Sequence, residues 1–276
     1  MKHAQIRGLF FAACTLVPGW AAADVVVEVA PNRATVHIEL PGDVKADVEL
    51  RFEQALGLTA DSLGISARLL DPADLGLSAR LPASVSVPVV FPLLITIDPP
   101  ASGPLAFSGV VAFDLHTHKL TYAPNSPLRL FAAEGGKSFQ DITASIGLGS
   151  YRTGANKGGF SEFLIAADTR ALASVIDEKF KRLQARLDAN AARISSAVLA
   201  TLQTQLRAAR SSYDANDAQA ASEKVEQFAD IVRQNSGAAI PDVWRSARDV
   251  VNVAGELRAD ASTLKFSLLL KASGGS

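Results

Sequence analysis

Sulfur is almost missing from this chain. Of its 276 residues one is cysteine, Cys14, and one is methionine, Met1. Both fall in a stretch that reads as a removable leader, so the mature chain is expected to carry no sulfur. Disulfides, thiol nucleophiles, iron–sulfur clusters and cysteine-type zinc sites are thereby excluded. An excess of one charge is lacking too. The formal net charge is −1, which does not suit a general binder of phosphate backbones. Spanning a bilayer takes about 20 consecutive apolar residues. The uncharged stretch at 8–20 is too short and holds Pro18, and the one at 84–97 is broken by Pro88 and Pro92. With 48% apolar residues, wholesale disorder is excluded as well.

The first residues have a three-part layout. Lys2, His3 and Arg7 form a basic start, residues 8–20 an apolar core, and Ala21-Ala22-Ala23 a small-residue cleavage site. This predicts a signal peptide over 1–23, cut near Ala23, and a periplasmic or secreted protein. A lipoprotein would require cleavage before Cys14 after a very short core, so simple cleavage is the expectation. No transmembrane anchor is expected in the mature chain. An exported domain without cysteine needs a core large enough to stand without staples.

Residues 24–168 carry the two-residue rhythm of strands. VVVEV (25–29), ATVHIEL (34–40) and ADVELRF (46–52) alternate apolar and polar positions, as half-buried strands do. Further strand-like runs lie at 63–70, 84–97, 105–115, 119–122, 128–131, 139–142, 150–153 and 160–166. Turn residues such as Pro41-Gly42, Pro124-Asn125 and Gly135-Gly136 separate them. Short strands with no helices between them predict an antiparallel β-sandwich, Ig-like or related. One large sandwich and two small ones divided near 99–104 both fit.

From 169 to 276 the rhythm becomes helical. Apolar residues recur from Leu172 through Ile176, Phe180, Leu183, Leu187, Ile194, Leu202, Leu206 and Ala209 to Tyr213, with a mean step of about 3.7 residues, and no Gly or Pro occurs from Thr169 to Asn235. A long, straight amphipathic helix is expected, interrupted if Asn190 or Ser195-Ser196 breaks it. Asn216 or Asp217 would cap a second helix ending at Asn235-Ser236-Gly237. Pro241 would open a third, with Val243, Trp244, Ala247, Val250, Val251, Ala254 and Leu257 inward. Residues 264–271 fit either a last strand or a helical extension. The fold class is therefore segregated α+β, a sandwich followed by a helical hairpin or three-helix module. Residues 24–168 carry a net −6 and residues 169–276 a net +3.

LRLF (128–131), FQDIT (139–143), GSYRT (149–153) and GGFSEFLI (158–165) resemble the end of a β-sandwich of secreted bacterial proteins of unknown function. Ala208, Ala209, Asn216, Asp217, Ala220, Ala221, Phe228, Ala229, Val232, Gly237, Ile240 and Pro241 are similar to the pattern of FIMAH-type helical modules. The resemblance implies an exported accessory or interaction role. It carries over no catalytic residues.

Few residues suggest chemistry. Asp114, His116 and His118 alternate, so on one extended strand they share a face, and with His37 they offer ligands for Zn²⁺ or a similar ion. The run HTHK nevertheless lies between two strand-like segments and reads first as a solvent-facing hairpin tip. Gly135-Gly136-Lys137-Ser138 lacks the first glycine and the following helix of a phosphate loop, and reads as a hairpin turn. Ser161-Glu162 lacks the second glycine of a nucleophile elbow. Asp214–Asp217 lacks a calcium loop's later ligands and reads as a helix cap. Tyr213, Phe228 and Trp244 read as core. No catalytic, cofactor or metal residue is assigned. The expected function is a non-enzymatic interaction or scaffold protein of the bacterial envelope or extracellular space. It would engage a protein partner or cell-surface component through its helices, or form a homo-oligomer if the long stripe stays uncovered. Two alternatives are a glycan or cell-wall binding module and a metal-dependent hydrolase centred on Asp114, His116 and His118.

Overall fold

The computed structural model describes residues 23–71, 73–123 and 126–274. Most of the expected leader, Cys14 included, and the turn residues Pro124-Asn125 lie outside them. Along the chain run β1 (Asp24–Ala30), β2 (Arg33–Leu40), β3 (Val44–Leu56), α1 (Ala60–Leu63), β4 (Ile65–Leu69), α2 (Leu75–Arg80), β5 (Val85–Ser86), β6 (Leu93–Ile97), β7 (Ala106–Thr121), β8 (Leu128–Ala133), β9 (Gln140–Asp141), β10 (Ser145–Gly147), β11 (Ser150–Lys157) and β12 (Glu162–Asp168). Then follow α3 (Leu172–Ala189), α4 (Ser196–Asp214), α5 (Ala218–Gln234), β13 (Val243–Arg245) and α6 (Val253–Ala272).

The strands form two antiparallel sheets. Sheet A has the order β1-β2-β3-β7-β11-β10, with β13 also paired to β7. Sheet B has the order β4-β6-β12-β8-β9, with β5 on β12. Alternation decides which side chains are buried. Ala34, Val36, Ile38 and Leu40 of β2, Val44, Ala46, Val48, Leu50 and Phe52 of β3, and Phe113 and Leu115 of β7 enter one core with Leu93, Ile95, Leu130, Phe163 and Ile165 of sheet B. Phe113 and Phe163 stack across it with ring centroids 4.2 Å apart. The fold is thus a mixed α+β arrangement of antiparallel sheets followed by helices.

Several expectations are corrected. Two short helices interrupt the strands. α1 forms because Thr59 and Ser62 close a reciprocal capping box, and α2 is capped by Asp74 and packs Leu77 against Leu70, Leu94 and Phe131 of sheet B. The run 84–97 is two strands, β5 and β6, divided where Pro88 and Pro92 remove ladder donors. The runs at 105–115 and 119–122 are one 16-residue strand, β7, so residues 116–118 are not a hairpin tip. The long helix breaks into α3 and α4: Asn190 turns its amide back to Arg186 O at 2.9 Å, and Ile194 is extended. No helix begins at Pro241. Residues 243–245 instead pair with β7, and Trp244 stacks on Phe107.

Residues 264–271 are helical. They escaped assignment because α6 is covered on more than one side and its apolar residues do not keep to one stripe. Leu257, Ala261, Leu264 and Leu268 join the helical core with Ile176, Phe180, Leu202, Phe228 and Val232, while Thr263 donates to Thr143 O at 2.9 Å. The start of α6 seats closely against sheet A. Asn252 caps it, and the same side chain donates to Gly109 O at 2.6 Å and Gly158 O at 3.2 Å. A Cβ on Gly158 would lie 2.5 Å from Glu256 N, so only glycine admits the helix there.

Charge crosses the same junction. Lys179, Arg182 and Arg186 share one face of α3. Lys179 Nζ reaches Asp141 Oδ2 at 2.6 Å, Ser267 Oγ at 2.9 Å and Thr263 O at 3.2 Å. Arg182 pairs with Asp260 at 3.0 Å and donates to Asp141 O, and Arg186 pairs with Asp260 and Glu256. Lys179 and Asp141 are 1% and 3% exposed. Burial draws the Lys179 ammonium down to about 8, and Asp141 restores part of the loss. Burial likewise pushes Asp141 up, but Lys179 and the Thr143 N–H outweigh it and hold the carboxyl below its ordinary value.

Removing one partner of such a pair strands the other charge in the interior. Lys179→Ala is expected to cost about 3–5 kcal/mol, measured by urea unfolding. The double variant Lys179→Met with Asp141→Leu is expected to recover most of it.

Candidate functional site

The outward face of sheet A is polar because its inward face is core. Register aligns one row of side chains across it: Val26 opposite His37, His37 opposite Asp47, Asp47 opposite His116, and His116 opposite Arg152. His118 lies two residues further along β7 on the same face. All the histidines of the described residues therefore meet at one place. Asp47 is their centre. Its Oδ1 is 2.8 Å from His37 Nδ1, and its Oδ2 is 2.8 Å from His118 Nε2 and 3.5 Å from His116 Nδ1. His116 Nε2 is 2.6 Å from Ser150 Oγ on β11, and the rings of His116 and His118 have centroids 4.7 Å apart. The row edges an open depression of about 580 Å³ that runs on to Glu49, Arg51 and Arg152.

Asp114, expected beside the histidines, is engaged elsewhere. It lies in the next row, opposite Glu49 and Gly154, and pairs with Arg51, which also holds Glu49 at 3.0 Å. The carboxylate at the histidines is Asp47, which the motif reading missed. The hairpin itself held the clue. Pairing Leu40 with Val44 across Pro41-Gly42 forces His37 opposite Asp47. Bringing β7 beside β3 is a long-range event with no local signal.

Electrostatics divides the cluster. Burial raises the Asp47 carboxyl, but hydrogen bonds from His37 and His118 and their charge prevail and hold it below its ordinary value. Burial lowers His116, Arg152 and His118 lower it further, and Asp47 offsets only part. At neutral pH His116 is an uncharged imidazole with a lone pair to offer. Chemically, Asp47, His116 and His118 present a carboxylate oxygen and two ring nitrogens that lie within 4.8 Å of one another.

The other candidates settle into structural roles. Gly135-Gly136 makes the turn of the β8–β9 hairpin at positive φ, and Lys137 pairs with Glu134. Asp214 pairs with Arg210, and Asp217 caps α5 through Ala220 N at 2.8 Å. Phe228 is in the helical core, with Tyr213 partly buried against it. Ser161 is buried, and its Oγ has no hydrogen-bond partner. It lines a second cleft of about 620 Å³ with Thr96, Gly159, Phe160, Trp244 and Asn252. Among the described residues no histidine lines that cleft, so none of them sets an imidazole beside Ser161.

A family model, described as a family of unknown function, DUF6689, matches residues 11–272, and the chain belongs to that family. No curated protein matches it.

The His116 shift has a testable sign. Its folded value lies below the ordinary 6.5, so the unfolded chain takes up this proton first as the pH falls. The group's stabilising contribution, present at neutral pH, declines from about pH 6.5 downward. Imidazole NMR titration should place the His116 midpoint below that of a free histidine. Arg152→Gln should raise it, and Asp47→Asn should lower it further.

Proposed function

We propose that this member of DUF6689 is an exported, non-enzymatic binding protein that offers the histidine-bearing end of sheet A to a protein partner or cell-surface component. In this reading the leader is removed near Ala23 and the protein works in the bacterial periplasm or outside the cell. The two sheets act as an Ig-like sandwich and the helices as a FIMAH-like module. The shared core of the sheets supports the sandwich. No helix among the described residues is long and apolar enough to cross a membrane, which is compatible with a free protein.

One observation carries the assignment. α6 closes over one stretch of sheet A, at Gly109 and Gly158, whereas the stretch bearing His37, Asp47, His116 and Arg152 is an open depression. Groups that water satisfies equally well are gathered there on four rigid strands, a typical make-up for a recognition surface. The helical stripe serves less well. Ile176, Phe180, Leu183, Leu187, Leu202, Leu206 and Ala209 are buried within the chain, so this stripe is not offered to a partner.

A second reading, glycan binding, draws on Trp244. β13 brings this ring to the edge of sheet A, where one face stacks on Phe107 at 5.3 Å. Phe160 is 4.9 Å from Trp244 and 5.6 Å from Phe107, so it flanks the stack and does not cap the other indole face. Asp98, Glu134, Glu162 and Glu256 around the cleft are each paired with a cation. The hydroxyl of Ser161 has no partner. An aromatic face beside charge-neutral polar groups suits an uncharged sugar.

Two experiments separate the readings. Arg33 of β2 holds Glu49 of the depression at 2.9 Å. Capture from the exported fraction with the immobilised chain should fall at least tenfold for Arg33→Glu with Arg152→Glu, and should persist for Lys181→Glu with Arg207→Glu on the helices; the reverse pattern would move the binding surface to the helices. In a Trp20→Phe chain, Trp244 emission should shift on adding a soluble chito-oligosaccharide if the cleft takes sugar, and Ser161→Ala should weaken binding roughly 2–10-fold. Unchanged emission removes the sugar reading.

A further inference from the structure

We infer that Asp47, His116 and His118 form a binding site for one divalent first-row transition-metal ion of the Zn²⁺, Co²⁺, Ni²⁺ or Cu²⁺ class, with His37 and Ser150 as its outer shell. The inference deepens the reading of this face of sheet A as the binding surface and rests on it.

The donor set selects the class. Two imidazole nitrogens and one carboxylate oxygen suit borderline cations. Ca²⁺ and Mg²⁺ prefer oxygen alone, and Cu⁺ prefers sulfur. Sulfur is confined to Met1 and Cys14 in the whole sequence.

The spacing is right for a single ion. Bonds of about 2.0–2.1 Å in a tetrahedral arrangement put ligand atoms roughly 3.3 Å apart. Here Asp47 Oδ2 is 2.8 Å from His118 Nε2 and 3.5 Å from His116 Nδ1, and the three donors lie within 4.8 Å of one another. Displacing the proton on His118 and opening these separations by side-chain rotation admits an ion without moving the strands.

The surroundings resemble a built site more than a chance gathering. A metal-bound histidine usually engages its second nitrogen with a neighbour that fixes the ring, and a ligating carboxylate is usually hydrogen-bonded as well. With His116 Nδ1 turned to the ion, its Nε2 meets Ser150 Oγ at 2.6 Å. With Asp47 Oδ2 turned to the ion, its Oδ1 meets His37 Nδ1 at 2.8 Å. The four elements concerned, β2, β3, β7 and β11, are consecutive neighbours in sheet A, so the ligands stand on a hydrogen-bonded ladder and not on loops. Three protein ligands leave a position toward the open depression for water or for a donor from a partner.

Calorimetry of the full chain, cleared with chelator and titrated with ZnCl2 at neutral pH, tests this. One ion per chain is expected, with Kd near or below about 10 μM, and Co²⁺ in its place should give the intense visible bands of a tetrahedral site. His118→Ala and Asp47→Asn should each weaken binding at least ~100-fold, and His37→Ala about 10-fold. Asp114→Asn should leave it unchanged. Circular dichroism of these surface variants confirms that they fold. Absence of binding at roughly 1 mM Zn²⁺, or binding that survives His118→Ala and Asp47→Asn, overturns the site. That failure is separable from loss of the partner surface, because zinc binding is read on the unaltered chain and capture on variants at Arg33 and Arg152, neither of which is a proposed ligand.

Discussion

Lys179 sits where water cannot solvate it, and the junction between helices and sheets is built around that fact. An ammonium out of water is costly unless a carboxylate and further acceptors replace its hydration. Asp141 at the end of β9, with Ser267 and Thr263 on α6, supplies them. The acceptors come from two separate parts of the chain, so the charge is satisfied only when β9, α3 and α6 are all in place. Arg182 and Arg186 extend the same dependence to Asp260 and Glu256. Apolar contact holds these elements close, whereas the paired charges allow one seating among the many that apolar contact alone would accept.

That seating determines which part of sheet A stays open. α6 descends on the sheet at Gly109 and Gly158, where the absence of a Cβ on Gly158 and on Gly255 of α6 lets backbone meet backbone. Farther along the same strands the pleat continues with no helix above it, and the row from His37 to Arg152 is left to solvent. The opposite charges of the two halves are expressed locally in the same way. Arg258 of α6 holds Glu53 of β3 in a two-point contact, and Arg248 pairs with Asp98.

How much of this could be read in the residues depended on whether a signal was local. The alternation in β2 and β3 is local, and the hairpin between them even fixes His37 opposite Asp47. The cap at Asp217 and the stop at Gly237 are local as well. β13 is three residues long and is defined only by the edge of β7, so nothing in VWR distinguishes it from the helix expected there. α6 failed for a different reason. Helical periodicity marks a single buried stripe, and a helix covered by both helices and strands has no such stripe. The break at Asn190 fell between the two, since a polar residue at that point permits a bend and tertiary packing selects it. Asp114 was grouped with the histidines because it shares their strand face. The register with β3 gave that place to Asp47 and gave Asp114 to Arg51.

β13 also bears on the order of events during synthesis. Val243 pairs with Ser108, so the first turns of β7 wait for a segment more than a hundred residues downstream before their free edge is covered. A nascent chain halted between β12 and that segment leaves residues 106–108 of β7 unpaired on this side, with Phe107 bare of the indole that later shields it. Contacts this distant in sequence form slowly, and an uncovered strand rim invites pairing with other chains. A chaperone that holds the polypeptide open until Val243–Arg245 has emerged would meet that hazard directly.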